Sequence, residues 1–407
     1  MSKKKFAGDA MLNIIAYALP IVILQLVALP VVGSRLGEDQ YGLVITLISL
    51  FTLLSLPFGN VLNNIRLLEN KQYELKKLSG DFNVILVGCT VISSFLTLVG
   101  SLYYSENTSF YNALIIMVIS ALNLVREYLV VSFRINLNYK AILLNNVILG
   151  IGYLVGLLLF IITGYWHWIF IVGSILSLFY IIMKTNLIKE NFEITSLFRQ
   201  TTYKTFILFV STFLKTILSY ADKLILFPLL GPGAVSIYYT ATIVGKIVSM
   251  AITPINSVML SYLTRIDRIS IRKFIYILTF TTIIGVVGYF ITILLSYPLL
   301  TFLYPDWAKE SLKLIYITTA TVIVGVVNSV IHPFILRYNS INWQLVISGV
   351  NVIIYIASTY TFYNQYGLIG FCIGILIANV IKLLLMIAVF IFSYIVVNKK
   401  QLENEAL

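Results

Sequence analysis

Apolar residues run along this chain in long blocks separated by short polar breaks. Twelve blocks stand out, at 10–32, 41–62, 82–104, 111–132, 141–163, 167–187, 205–229, 235–260, 274–297, 312–336, 345–363 and 367–397. A helix needs about 20 apolar residues to cross the hydrocarbon core of a bilayer, so each block predicts one transmembrane helix. The first block is not a cleaved signal peptide. It is long, contains Asn13 and Pro20, and leads into the second block with no small-residue cleavage site. Composition agrees: 59% of the residues are apolar and only 11% charged, whereas a soluble chain is roughly one-quarter charged. That is too little charge to cover soluble domains. It also excludes disorder, collagen and a disulfide scaffold. Cys89 and Cys372 have no paired spacing, and His167 and His332 are too far apart for a metal or relay site.

The net charge of +12 raises the question of nucleic acid, and the placement of the charges answers it. With a cytoplasmic N-terminus, 20 of the 28 Lys and Arg residues fall in inner segments, from Lys3–Lys5 through Lys76 and Lys77 to Lys399 and Lys400. Only Arg35, Lys309 and Lys313 lie outside, and five fall within spans. That bias follows the positive-inside rule and predicts both termini in the cytoplasm. It accounts for the basic balance without nucleic acid. The longest polar stretches, 63–81 and 188–204, read as interfacial segments over the inner leaflet.

The second stretch sits at the chain midpoint, and the two halves resemble each other. Span one ends in VVGSRLGEDQYG (31–42) and span seven in FPLLGPGAVSIYY (227–239). Each gives a Leu-Gly turn, Leu36-Gly37 and Leu230-Gly231, followed by a Tyr that opens the next helix. Spans two and eight then carry Pro57 and Pro254, each followed four residues later by Val61 or Val258, with Arg66 and Arg265 beyond. Six helices per half means a parallel repeat about an axis along the membrane normal. The predicted fold is an all-α polytopic membrane protein with about twelve transmembrane helices in two six-helix bundles. These cover 1–187 and 205–397, with a cytoplasmic linker at 188–204 and a cytoplasmic tail at 398–407. Two such lobes leave a cleft between them, which is a transporter architecture. Pro20, Pro57, Pro254 and Pro333 interrupt helices and free carbonyls; Pro20 is the hinge candidate.

Ionisable groups within a bilayer are costly and point to function. The spans hold Arg126 and Glu127, Lys215, Asp222 and Lys223, Lys246, and Lys382. Five cations against two acids favour an anionic cargo. At 1.5 Å per residue, Lys215 and Lys246 lie about 15 Å into their helices, near mid-membrane, with no acid close in sequence. Arg126 can pair with Glu127, and Lys223 with Asp222. Glu127 and Asp222 are the deep acids available for coupling to an ion gradient. The chain lacks GxxxxGK[ST], so no ATP site is expected. Paired carboxylates are missing from the outer loops, so no enzyme activity and no cofactor are expected.

The chain resembles the multidrug/oligosaccharidyl-lipid/polysaccharide (MOP) transporter superfamily, and within it the Wzx-type flippases of O-antigen and capsule repeat units. The resemblance spans the whole chain and is best in SRLGEDQYG (34–42) and ADKLILFPLLGPGAVSIYYTA (221–241). The second segment is similar to the family's Asp-Lys/Arg, aliphatic run, Leu-Gly and Tyr-x-x-Ala pattern. The resemblance implies a MATE-like pair of bundles, with helices one, two, seven and eight lining the cleft. It places Lys215, Asp222, Lys223 and Lys246 at or near the cavity and Arg35 and Arg66 at its two mouths. It also implies an undecaprenyl-diphosphate-linked oligosaccharide as cargo, contact with membrane lipid and with polysaccharide polymerase or assembly proteins, and a bacterial cytoplasmic (inner) membrane location. One departure is that the first lobe has only Arg126 as a deep cation. The alternatives are a drug/cation antiporter, which would favour acids in its cavity, a lipid II flippase, which commonly carries fourteen helices, and a membrane polymerase or scaffold.

Overall fold

The computed structural model of the chain describes residues 3–104, 110–250, 269–339 and 342–405. Pro254, Val258 and Arg265 of the repeat lie outside them. The described residues are helical, with no strand among them. In order they form α1 (Lys3–Ile23), a π-helical turn (Leu24–Ala28), α2 (Leu29–Leu36), α3 (Glu38–Lys76), α4 (Asp81–Tyr104), α5 (Phe110–Leu129), α6 (Val131–Ile135), α7 (Tyr139–Thr163), α8 (His167–Lys184), α9 (Phe198–Met250), α10 (Ile271–Leu303), α11 (Ala308–Tyr338) and α12 (Asn342–Glu405). Among the described residues, ten helical stretches are long and apolar enough to cross a membrane. Two of them contain a non-helical glycine, Gly231 in α9 and Gly367 in α12. Counting the two sides of each glycine separately gives the twelve segments that the apolar blocks predict.

The two Leu-Gly turns of the repeat share one backbone geometry. Gly37 has φ 79° and ψ 173°, and Gly231 has φ 82° and ψ 175°. This region is essentially closed to side chains, so each turn requires glycine. The turns also meet: a Cβ on Gly233 would lie 2.9 Å from Asp39 Oδ1 and 3.0 Å from Glu38 Oε1.

Contacts divide the chain into residues 1–235 and 236–407. In the first unit, Val61, Leu62, Phe82, Leu124 and Tyr128 belong to one buried cluster. Helices α7 and α8 approach closely through glycines. A Cβ on Gly152 would sit 2.5 Å from Gly173 Cα, and one on Gly156 2.4 Å from the Trp168 carbonyl oxygen. Small residues four apart let membrane helices pack backbone to backbone. Gly156→Leu therefore forces the pair apart, at about 1–3 kcal/mol or more. The expected result is a lower Tm for the purified variant; an unchanged Tm contradicts this packing.

The second unit has its own core, in which Phe274 stacks on Phe390 with centroids 3.9 Å apart and meets Phe334 edge-on. The segment after Gly231 is tied to α11 by three polar contacts: Trp307 Nε1 donates to Thr240 Oγ1 (2.9 Å), Ser311 Oγ to the Ile237 carbonyl (3.1 Å) and Thr318 Oγ1 to the Ala241 carbonyl (3.0 Å). Most of α10 stays uncovered, with Ile283, Phe290, Leu294 and Phe302 exposed. In a membrane these side chains meet lipid rather than water.

Both long polar stretches are ordered. Residues 63–76 continue α3 as one 39-residue helix, because Leu, Glu, Gln and Lys there are good helix formers. The helix stops at Lys77 (φ 55°) and turns at Gly80 (φ 114°). The 188–204 stretch makes a 3₁₀ turn at Leu187–Lys189, an extended segment, and then the start of α9. It packs on the first unit through the contacts described below.

Candidate polar and charged sites

Helix α1 carries Pro20, which is buried. Its missing N–H opens the following turn, and the Leu29 N–H reaches back five residues to Leu24 O. Such π-turns concentrate at functional sites. Arg35 is exposed in the last turn of α2, where a cation complements the helix dipole.

The deep charges of the first unit are built on α3, α5 and α6. Gly59 lets α3 approach α5, since a Cβ there would lie 2.6 Å from Glu127 Cβ. Arg126 Nη2 donates to the Glu127 carboxylate and to Asn123 Oδ1 (3.2 Å). Asn123 Nδ2 in turn donates to Ser55 Oγ (2.7 Å). Asn63 Nδ2 donates to the Glu127 carbonyl (2.8 Å), and Asn63 Oδ1 accepts from Arg134 Nη1. The same nitrogen donates to Asn64 Oδ1 at 3.0 Å. Arg126 Nε is buried with no hydrogen-bond partner among the described residues. Tyr17 of α1 lies within electrostatic reach of Glu127, Arg134 and Arg126 and keeps 42% of its surface exposed.

Helix α9 carries the second pair of neighbours. Lys223 Nζ donates to Asp222 Oδ1 and to the Ser219 carbonyl (3.3 Å), and lies 5.9 Å from the Tyr220 ring centroid. Asp222 Oδ1 also accepts from the Lys223 N–H (3.0 Å). Both side chains are nearly buried. Each deep acid, Glu127 and Asp222, thus pairs with the cation beside it in sequence. Lys215 is on α9, and its side chain lies outside the described set. Lys246, in the second unit, is half-buried with Nζ 5.2 Å from the Tyr239 ring centroid. Lys382 is half-buried on α12.

Arg66 belongs to a third cluster, at the far end of α3. Its Nη1 and Nη2 donate to Glu190 Oε2 (2.9 Å) and Oε1 (2.6 Å), with side chains 7% and 16% exposed. The guanidinium also covers the Phe82 ring, 4.7 Å from its centroid. Asn83 Nδ2 holds the Glu190 carbonyl (2.8 Å). Fully buried Asp81 accepts from the Thr195 N–H (2.7 Å), the Thr195 hydroxyl and the Tyr73 hydroxyl (2.7 Å). Tyr73 shares a further hydrogen bond with Thr201 (2.8 Å), and Lys204 pairs with Glu69 (2.7 Å). Gly80 admits the linker backbone, because a Cβ there would lie 2.7 Å from the Asn191 oxygen and the Glu193 nitrogen. Farther along, Phe209 of α9 stacks on Phe58 at 4.1 Å, and the Tyr104 hydroxyl donates to the Leu224 carbonyl (2.9 Å).

A search restricted to formal charge misses several of these residues. Asn60, Asn63 and Asn64 stand in the short run PFGNVLNNIR of an apolar helix. Three carboxamides in five residues are a signal of their own, since each is costly in hydrocarbon. Arg134 reads as a loop residue at the end of an apolar block, yet it joins the Arg126–Glu127 network.

No protein-family model matches the chain, and no curated protein sequence matches it. Solved structures do. The lipid II flippase MurJ in an inward closed conformation is similar with a TM-score of 0.68 at 17% identity, covering 94% of this chain and 89% of that one. An inward-facing multidrug resistance MATE family transporter of the MOP superfamily gives a TM-score of 0.64 at 13% identity, covering 95% and 98%. A eukaryotic MATE transporter gives 0.64 at 14% identity, covering 95% and 94%. The chain therefore has the helical fold that these transporter and flippase structures of the MOP type share.

Proposed function

We propose that the chain is a flippase of the MOP type, carrying a polyprenyl-diphosphate-linked oligosaccharide across a bacterial cytoplasmic membrane by alternating access. One observation carries this reading. The spans hold five cations and two acids, a formal surplus of +3, and each acid forms an ion pair with the cation beside it in sequence. The surplus is positive, and in a low-dielectric interior a surplus of cations is stabilised by an anion such as a diphosphate. A cation antiporter needs the opposite balance. In this reading Lys215 and Lys246 hold the diphosphate, Lys223, Lys382 and Arg126 add to the field, and Arg35 and Arg66 guard the mouths. The lipid tail stays in the bilayer while the sugars cross. Glu127 and Asp222 are candidates for coupling to an ion gradient, and Pro20 for the hinge. The fold supports this reading because the lipid II flippase shares it.

The test is reconstitution. Proteoliposomes holding the full chain receive a fluorescent polyprenyl-diphosphate disaccharide in one leaflet, and its exposure to an external quencher is followed. The expected result is chain-dependent translocation of the diphosphate and none of the uncharged polyprenol. Proton-driven accumulation of ethidium, with no movement of the diphosphate, supports the antiporter instead.

A further inference from the structure

The carboxamide face of α3 offers chemistry that a diphosphate does not use. Asn60 and Asn64 are four residues apart, so they lie on one face of the helix, and both are exposed. A carboxamide turned toward hydrocarbon is costly, so this face is wet. Arg134 occupies Asn64 Oδ1, which leaves the Asn64 amide N–H groups presented outward as donors. The Asn60 carboxamide has no hydrogen bond to the described residues and presents both donors and an acceptor. Asn123, half-buried on α5, is tied to Ser55 and Arg126. The Glu127 carboxylate, 15% exposed, supplies further acceptor capacity beside them. Tyr17 adds a half-exposed ring within reach of the same charges.

Planar groups carrying both donors and acceptors match vicinal hydroxyls, which also donate and accept. A flat aromatic ring matches the apolar C–H face of a pyranose. Direct contact with a phosphate is served poorly here. Arg126 is occupied by Glu127, and Arg134 is shared between two carboxamide oxygens. We infer that Asn60, Asn64, Asn123, Glu127, Arg134 and Tyr17 form a saccharide subsite on the first unit, which takes pyranose hydroxyls of the cargo. This inference rests on the flippase reading above and adds to it where the sugar is recognised.

The full-length protein in nanodiscs is titrated with two lipids: undecaprenyl diphosphate without sugar, and the lipid-linked oligosaccharide extracted from the cells that make this chain. The wild type binds the glycolipid about tenfold more tightly than the bare diphosphate, the gain expected from one or two added hydrogen bonds. In the Asn60→Ala, Asn64→Ala double variant that preference falls to about twofold or less, while bare diphosphate binding is unchanged. Tyr17→Ala shows the same loss and Tyr17→Phe does not, because only the ring is needed. Both asparagines are exposed, and the unchanged bare-lipid affinity confirms that each variant is folded. A preference that survives in the double variant overturns the subsite and leaves the flippase reading standing. Equal loss of both lipids also overturns it, because the residues then act on the diphosphate or the fold. Failure of the wild type to bind either lipid overturns both readings.

Discussion

Replacing Lys215 and Lys246 together by alanine abolishes translocation while the chain still inserts in the membrane. In the proposed site each lysine gives the diphosphate a charge-assisted hydrogen bond, about 1.5–3 kcal/mol apiece, or roughly 10- to 100-fold in affinity. Lys246 is half-buried with Nζ 5.2 Å from the Tyr239 ring centroid, a contact that suits a cation, and no acid stands near it in sequence. Removing an intramembrane charge eases insertion rather than hindering it. A loss of activity at normal protein level therefore reports on the site. Arginine at either position keeps the charge but changes its shape, and retains part of the activity. The check is complementation of a flippase-null strain, with protein level followed by blot. Full complementation by the double alanine variant leaves these lysines as structural residues.

Glu190→Ala loosens the linker and destabilises the first unit. The carboxylate is the bidentate partner of Arg66, and the pair is largely buried. Removing one member of such a pair strands the other, at about 3–5 kcal/mol. Replacing both by apolar residues, Arg66→Met with Glu190→Leu, is far milder because no charge remains uncompensated. The expected results are a large fall in Tm and faster proteolysis within 190–197 for Glu190→Ala, with both largely restored in the double variant. If the double variant is stable yet inactive, Arg66 also contacts the cargo, as the flippase reading proposes. If Glu190→Ala is as stable as the parent, the clamp contributes nothing.

How far the chain could be read in advance depended on the range of the interaction involved. The spans were legible because hydrocarbon admits only long apolar helices, and the turns at Gly37 and Gly231 because their backbone region excludes side chains. Neighbour pairs were legible too: Arg126–Glu127 and Asp222–Lys223 each form between adjacent residues. The partners of Arg66 and Asp81 were not, since Glu190 and Thr195 lie more than a hundred residues away and the linker's composition says nothing of where it docks. Arg134 was hidden for a different reason. An apolar block marks where a membrane span ends, but not that a short helix, α6, returns its arginine to the Asn63 and Asn64 carboxamides of α3.

The most direct test of the central claim is the sidedness of the lipid-linked oligosaccharide in cells that lack this chain. Intact protoplasts are treated with a membrane-impermeant glycosidase or lectin, and the protected fraction is compared with that after lysis. The account predicts that deletion traps the diphosphate-linked oligosaccharide on the cytoplasmic face, protected until lysis, and that the wild-type chain restores its exposure outside. Unchanged exposure in the deletion strain, with normal surface polysaccharide, contradicts it.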